Sequence, residues 1–280
     1  MITMRSLTPL RIALFLLLSC VSHASYTKTL NVTIPPLEPD ATPQYTYFYK
    51  LLELALSKTE QSEGPYKIHY SASTFTTERY LAELNNNKTI NVLWTTGDKE
   101  REQDLLPIRI SLLRDLNSYR VLLIRKEDKE KFENIKTLKE LRELKAGLGS
   151  HWPDADVMRA NDFTVVTSMQ YNSLFKMLAA KRFDFFSRGL YEIWNEAETH
   201  KDKNLIIDQH LMLFYNAPFY YFVNKKNKAL ADRIERGLNA AIADGSFEEL
   251  FFSIPGFKKG HDEQFNKNRL LFTLKDDEQL

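Results

Sequence analysis

The sequence predicts an α/β protein of two lobes, each a mostly parallel sheet flanked by helices. Short apolar runs alternate with amphipathic helical segments from residue 30 onward, an order typical of parallel sheets. The 280 residues, of which 43% are hydrophobic, suffice for one large or two medium domains. We expect lobe 1 to comprise residues 25–124 and 218–280 and lobe 2 to comprise residues 125–217, so that the second lobe is inserted in the first.

The first lobe begins with alternating strands and helices. Apolar residues recur at helical spacing in the helices and alternate with polar residues in the strands. Thr77 is a plausible N-cap of the second helix, with Glu78 in its first turn. The predicted strands are 30–34, 66–73 and 90–94, and the predicted helices are 45–57 and 77–84.

The second lobe continues the alternation before the chain returns. A long β-like stretch at 211–226 is interrupted at residues 216–218, and the amphipathic helix after it is broken near Asp244 and Gly245. The predicted strands are 118–126, 145–149, 163–169 and a short one before Gly189. The predicted helices are 137–144, one that starts at 157–160, one after Asn172, 190–198 and 229–251.

Residues 1–24 have the pattern of a secretory signal peptide. Arg5 and Arg11 precede a short apolar run, and the small residues Ser22 and Ala24 stand at the −3 and −1 positions of the cleavage site. The run is shorter than the roughly 20 residues that cross a bilayer. We expect a periplasmic protein cleaved after Ala24. A lipid anchor on Cys20 is the alternative, because Leu-Leu-Ser-Cys resembles a lipobox.

Composition excludes several classes of function. A formal net charge of +1 provides no basic surface for nucleic acid. Cleavage after Ala24 would remove the single cysteine, which excludes a disulfide-stapled scaffold and a thiol nucleophile. Metal-binding histidine pairs, a P-loop and the GxSxG and GxGxxG motifs are missing from the sequence. We therefore expect a monomeric protein without catalytic residues, metal or cofactor.

Four segments resemble periplasmic solute-binding proteins of type II topology, in particular the family 3 group known for polar amino acids. The resemblance covers about residues 28–252 and implies a small-molecule ligand held between two lobes. The segments are 95–102 (TTGDKERE), which resembles the family's Thr-x-x-Arg motif; 134–150, which resembles the opening of lobe 2; 174–186, which resembles "aLkaGrvDavv"; and 229–251, which resembles the terminal helix.

Arg101 is the first candidate ligand-binding residue. The resemblance implies that it grips a ligand carboxylate, and Thr96 matches the neighbouring hydroxyl contact. A guanidinium offers a planar fork that fits a carboxylate with two parallel hydrogen bonds. Asp98 replaces the family's threonine. Without the resemblance, Arg101 would be interpreted as a solvated charge among the charged residues 98–102.

The amino end of the family's site differs in this sequence. Arg188 stands near the position where amino-acid-binding relatives have an acid for the ligand's α-amino group, and Glu192 could supply the missing acid or neutralise Arg188. Two arginines facing one cleft would favour a dianionic ligand. The further candidate ligand contacts are Trp152, Trp94 and Tyr215, with Tyr45 or Tyr47 as an aromatic lid; packing inside the protein is the alternative for each.

These residues predict an exported protein that captures a small polar, anionic or amino-acid-like ligand and delivers it to the membrane permease of an ABC-type transporter. Hinge motion would occur at crossings near residues 119–126 and 213–224. A periplasmic sensor of the same fold is one alternative. A dehydratase that uses Glu192 or Asp154 as its acid is another.

Overall fold

The computed structural model describes residues 28–37 and 43–275. The predicted signal peptide and Cys20 lie outside the described residues. Among the described residues, no helix combines the length and hydropathy that a bilayer crossing requires. The first elements along the chain are β1 (Leu30–Ile34), α1 (Pro43–Lys58), α2 (Glu60–Glu63), β2 (Tyr66–Tyr70), α3 (Thr77–Asn85), β3 (Leu93–Thr96), α4 (Lys99–Asp104) and β4 (Leu105–Ile108).

The middle of the chain contains β5 (Tyr119–Arg125), α5 (Lys129–Glu133), α6 (Leu138–Arg142), β6 (Lys145–Gly149), α7 (Pro153–Ala160), β7 (Thr164–Ser168), α8 (Tyr171–Ala179), β8 (Phe185–Gly189), α9 (Ile193–Thr199), β9 (Leu205–Ile207) and β10 (Leu211–Phe214). The last elements are β11 (Phe219–Asn224), α10 (Lys228–Ala243), α11 (Ser246–Phe252), α12 (Pro255–Gln264) and β12 (Leu270–Thr273).

Lobe 1 contains a parallel pair, β1 and β2, beside an antiparallel trio in which β11 lies between β3 and β4. Asn91 joins the two groups. Its backbone N–H donates to the carbonyl of Thr33 (2.9 Å), and its side-chain oxygen accepts from the N–H of Thr33 (2.7 Å). The carboxyl end of β1 is therefore held next to the residues that lead into β3. Ligands in open α/β sheets bind at the carboxyl ends of the strands.

Lobe 2 is built on one sheet in the order β12-β10-β5-β8-β6-β7, with β9 also paired to β5. Strands β8, β6 and β7 are parallel, whereas β5 is antiparallel to β8, β9 and β10. All five residues of β8 are buried, which explains the continuous apolar start of its sequence. The predicted α/β class is confirmed, with helices covering the sheets.

Two strands fall on the other side of the predicted lobe limits. The limits at residues 124 and 218 assign both 119–124 and 270–273 to lobe 1, but β5 and β12 pair within the sheet of lobe 2. Strand β5 joins that sheet because its residues 120–125 are all buried, which requires neighbours on both sides. We propose that lobe 2 begins near residue 117 and that its inserted part ends near residue 217.

The chain after Phe252, for which the sequence suggested no structure, returns to lobe 2. Helix α12 packs on the start of α9, and β12 runs parallel to β10. Arg269 Nη1 donates to the carbonyls of Asp208 (2.7 Å) and Leu211 (3.0 Å), and Asn161 exchanges two hydrogen bonds with the backbone of Lys275. This segment is a third connection between the lobes.

Most predicted elements are confirmed with shifted ends. The N-cap of α3 is Thr76 rather than Thr77, since the Thr76 hydroxyl accepts from the N–H of Arg79 (3.4 Å). The third strand begins at Leu93 instead of residue 90, because Asn91 and Val92 both donate to one carbonyl of β1. Gly245, with φ of 82°, separates α10 from α11 as expected.

The close packing of α1 on α10 provides a test of the fold. A Cβ at Gly237 would lie 1.9 Å from the carbonyl oxygen of Ala55. We expect Gly237→Ala to lower the free energy of unfolding by about 2 kcal/mol, because this overlap outweighs the gain in helix propensity of about 1 kcal/mol. Urea unfolding measures the change. Asn239→Ala, an exposed position of the same helix, should stay within about 0.5 kcal/mol of wild type. Equal stability of Gly237→Ala and wild type would contradict this packing.

Candidate ligand-binding site

A cavity of about 680 Å³ lies between the two lobes. Its lobe 1 wall comes from α3 and α4, and its lobe 2 wall comes from the turn after β6 and from α7. The cavity therefore has the size and position of a small-molecule cleft. Its lining includes Glu78, Asp98, Glu100, Arg101, Asp104 and Asp156, together with Ser150, His151 and Pro153.

Arg101 lines this cavity with a side chain that is 12% exposed. Asp98 caps α4 by accepting from the backbone N–H of Arg101 (2.8 Å), and its other oxygen lies 3.1 Å from Arg101 Nη1. The same Nη1 donates to the carbonyl of Thr96 (2.8 Å). The aspartate that replaces the family's threonine therefore acts both as a cap and as a counter-ion that orients the guanidinium.

Thr96 does not line the cavity and is connected instead to the segments that pass between the lobes. Its hydroxyl accepts from Asn117 Nδ2 (3.2 Å), and the same amide donates to the carbonyl of Ala217 (2.8 Å). Asn117 is 2% exposed and thus joins the end of β3 to both chain crossings at residues 117 and 217.

The cavity is more acidic than an anion site would be. Among the described residues, five carboxylates line it, from Glu78, Asp98, Glu100, Asp104 and Asp156, against one arginine. Asp98 pairs with Arg101 and Asp156 with Arg159 (2.8 Å), so Glu78, Glu100 and Asp104 account for the excess negative charge. Opposite charges in a cleft attract, and a low-dielectric wall strengthens the interaction. This lining favours a ligand that carries a cationic group in addition to a carboxylate, and it disfavours the dianion that two facing arginines would favour.

Arg188 lines neither this cavity nor the smaller one described below. It is 4% exposed inside lobe 2. Its Nε and Nη2 donate to the two carboxylate oxygens of Glu196 (2.7 and 2.6 Å), and Nη2 lies 2.8 Å from Glu192 Oε2. Arg188 and Arg101 therefore do not face one cleft.

Arg188 belongs to a buried network of two guanidinium groups and three carboxylates. Arg120 lies 2.5 Å from Asp154 and 3.9 Å from Glu192. Burial raises the pKa of Glu192 to about 6, although Arg188 acts in the opposite direction. Tyr215, which is 2% exposed, donates its hydroxyl to Asp154, so it is part of this network and not of the cavity wall.

The two predicted tryptophans are packed against other rings. Trp152, the N-cap residue of α7, stacks on Phe186 at 6.0 Å, and its ring lies 4.7 Å from the guanidinium of Arg188. Trp94 stacks on Phe48 at 5.8 Å, beside the core of lobe 1. Neither tryptophan lines the cavity of about 680 Å³.

A second cavity, of about 140 Å³, lies between the start of α1 and helices α8 and α9. It distinguishes the two candidate lid residues: Tyr45 lines it, whereas Tyr47 is fully buried and donates its hydroxyl to the carbonyl of Leu112 (2.7 Å). Glu192 and Glu196 also line this cavity.

Sequence reasoning missed Arg120 and Glu196. His151, a weak candidate by sequence alone in the loop where the family contacts its ligand, lines the cavity. Arg120 stands inside the apolar run of β5, and a charge buried in a strand requires a partner, which was a usable signal. Glu196 follows Glu192 by one helical turn on α9. The only signal for His151 in the sequence is its position in the loop after β6.

The raised pKa of Glu192 gives a pH test. A carboxyl that is protonated more easily in the folded state stabilises the fold below pH 4.5, and this contribution is lost as the pH rises through about 6. The free energy of unfolding of wild type, measured relative to Glu192→Gln, should therefore fall by about 2 kcal/mol between pH 4.5 and pH 7. Urea unfolding across this range measures it.

Asn195→Ala is the control, because it changes α9 without removing a titrating group. Its difference from wild type should not vary with pH. A wild-type advantage over Glu192→Gln that grows with pH would show instead that Arg188, Arg120 and the neighbouring groups hold the pKa of Glu192 below 4.5.

Comparison by sequence finds no matching family model and no matching curated protein. Solved structures match over 81% of this chain. An ancestral arginine-binding protein bound to arginine is 14% identical with a TM-score of 0.58, over 97% of its own chain. A Salmonella typhimurium periplasmic binding protein with high arginine specificity is 13% identical with a TM-score of 0.59, over 99% of its chain. A histidine kinase sensor domain similar to periplasmic binding proteins is 14% identical with a TM-score of 0.56, over 96% of its chain. The chain therefore has the two-lobe fold of periplasmic amino-acid-binding proteins.

Proposed function

We propose that the protein is an exported solute-binding protein that captures a small polar, amino-acid-like ligand between its lobes and delivers it to an ABC-type membrane transporter. The observation that carries this proposal is the cavity of about 680 Å³, which both lobes line and which Arg101 helps to line. The arginine and lysine ligands of structural neighbours agree with it.

The charges of the cavity suggest how such a ligand would be oriented. Its carboxylate would pair with Arg101, which Asp98 and the carbonyl of Thr96 hold in place through Nη1. Its cationic group would lie against carboxylates of the cavity such as Glu78 and Asp104, since Asp98 is paired with Arg101 and Asp156 with Arg159. A zwitterion or a basic amino acid satisfies both ends, whereas a dicarboxylate would leave one anion facing acidic side chains.

Lobe closure would strengthen these contacts by excluding water. The hinge that we propose lies at residues 117 and 217, where Asn117 connects both crossings to Thr96. Export would depend on residues 1–24, with Cys20 as the alternative lipid-anchored route. A chain of this kind would act as a monomer and without a cofactor.

A periplasmic sensor is the second candidate, because one structural neighbour is the sensor domain of a histidine kinase. Both functions use the same cleft and differ in the membrane partner. Genes for a permease and an ATPase beside this one would favour transport, whereas a kinase or cyclase gene would favour sensing. A dehydratase is less favoured, since Asp154 and Glu192 are both paired with buried arginines. Mass spectrometry that shows turnover of a bound ligand would revive it.

A thermal-shift screen of basic, neutral and acidic amino acids and dicarboxylates tests the proposal. A ligand present at 100 times its dissociation constant adds about 2.7 kcal/mol to the stability of the folded protein. We expect stabilisation by basic or neutral amino acids and none by dicarboxylates. Stabilisation by dicarboxylates alone would contradict the proposed charge match.

Arg101→Ala should weaken binding of any hit at least about thirtyfold, because truncation of one partner of a buried charge pair costs 2 kcal/mol or more. Isothermal titration calorimetry measures the affinity. Arg109→Ala is the matched control: its side chain is 63% exposed, pairs with Glu102 and does not line the cavity. Equal affinities of Arg101→Ala and Arg109→Ala would place the ligand elsewhere.

A further inference from the structure

The guanidinium of Arg188 is enclosed in the way that proteins enclose a bound cationic ligand. The ring centroids of Trp152 and Phe186 lie 4.7 Å from its central carbon, and that of Tyr171 lies at 5.6 Å. Glu196 accepts two hydrogen bonds from it, and Glu192 lies at 2.8 Å. Aromatic faces attract a cation, and a fork-to-fork carboxylate pair selects a guanidinium over an ammonium.

The walls of this cage come from separate elements. Trp152 begins α7, Tyr171 begins α8, Phe186 lies on β8, and Glu196 lies on α9. Side-chain packing holds them in place around Arg188 without depending on it, since Trp152 stacks on Phe186 and Tyr171 packs edge-on against Phe175 (5.2 Å). The cage is thus defined by the fold of lobe 2.

The two carboxylates also have anchors of their own. The Tyr171 hydroxyl donates to Glu196 Oε1 (2.5 Å), and the backbone N–H of Gly189 donates to Glu192 Oε1 (3.1 Å). Shortening Arg188 would therefore leave a preorganised hole lined by two anchored carboxyl groups, rather than side chains that are free to move away.

We propose that Arg188 is a tethered occupant of a guanidinium-binding site in lobe 2. The chain's own cation fills this site and closes it to free cations. The inference rests on the proposed function in one respect only: the cationic group of the natural ligand must then bind to the acidic walls of the interlobe cavity and not in this cage. Arg188 would thereby restrict which ligands the protein accepts.

Arg233 provides a matched comparison. It is 5% exposed, close to the 4% of Arg188, but it donates to the Thr59 hydroxyl (3.0 Å) and to the backbone carbonyls of Glu63 and Gly64. Those partners are neutral. Removal of the Arg233 side chain would leave a hole of the same size without a carboxylate partner or an aromatic cage.

Chemical rescue of Arg188→Ala tests the proposal. Ethylguanidinium replaces the atoms that this substitution removes. We expect it to raise the melting temperature of Arg188→Ala saturably, by about 4 °C at ten times its dissociation constant. Ethylammonium, which has the charge without the fork, should have less effect at equal concentration. Wild type and Arg233→Ala should show no saturable rise with either compound.

If Arg188→Ala does not fold alone, recovery of folded protein on refolding with ethylguanidinium, and not with ethylammonium, gives the same answer. No saturable rise and no recovery would overturn the proposal, as would an equal rise in Arg233→Ala. The outcome does not depend on any natural ligand, so failure here leaves the proposed function standing, and a failed ligand screen leaves the cage intact.

Discussion

The need to neutralise two guanidinium groups inside lobe 2 organises the region beside the ligand cleft. Arg120 and Arg188 are 3% and 4% exposed, and a buried charge without a partner costs several kcal/mol. Their partners, Asp154, Glu192 and Glu196, stand at the start of α7 and on the segment that forms α9. The network therefore ties α7 and α9 to β5 and β8, and α7 also forms one wall of the cavity.

The two arginines are placed differently from what the resemblance to the family implies. Arg101 remains available at the cavity and is oriented by Asp98, while Arg188 is withdrawn into an aromatic cage with its own counter-ions. An arginine in the sequence is thus no measure of positive potential in the cleft. The net electrostatic field in the cleft depends on which carboxylates pair with each guanidinium. Here the acidic side chains that line the cavity outnumber its arginine.

The lobes are joined more extensively than two hinge strands would require. Asn117 connects both crossings to the end of β3, and the C-terminal segment crosses again to place β12 beside β10. Helix α12 approaches the start of α9 closely at Gly260, where a Cβ would lie 2.5 Å from the carbonyl of Leu190. This third connection limits how far the lobes separate, so we expect a smaller opening than a two-crossing hinge allows.

The sequence by itself determined the alternation of strands and helices and the break at Gly245. These depend on local periodicity, capping and backbone preference, which a sequence records directly. Only the tertiary structure decided that β5 and β12 lie in one sheet with β8, that Trp94 and Tyr215 point into packed interiors, and that Arg188 pairs with Glu192 and Glu196. The reason is that strand pairing and charge pairing join residues far apart in the chain, and several partners compete for each group until the whole fold selects one.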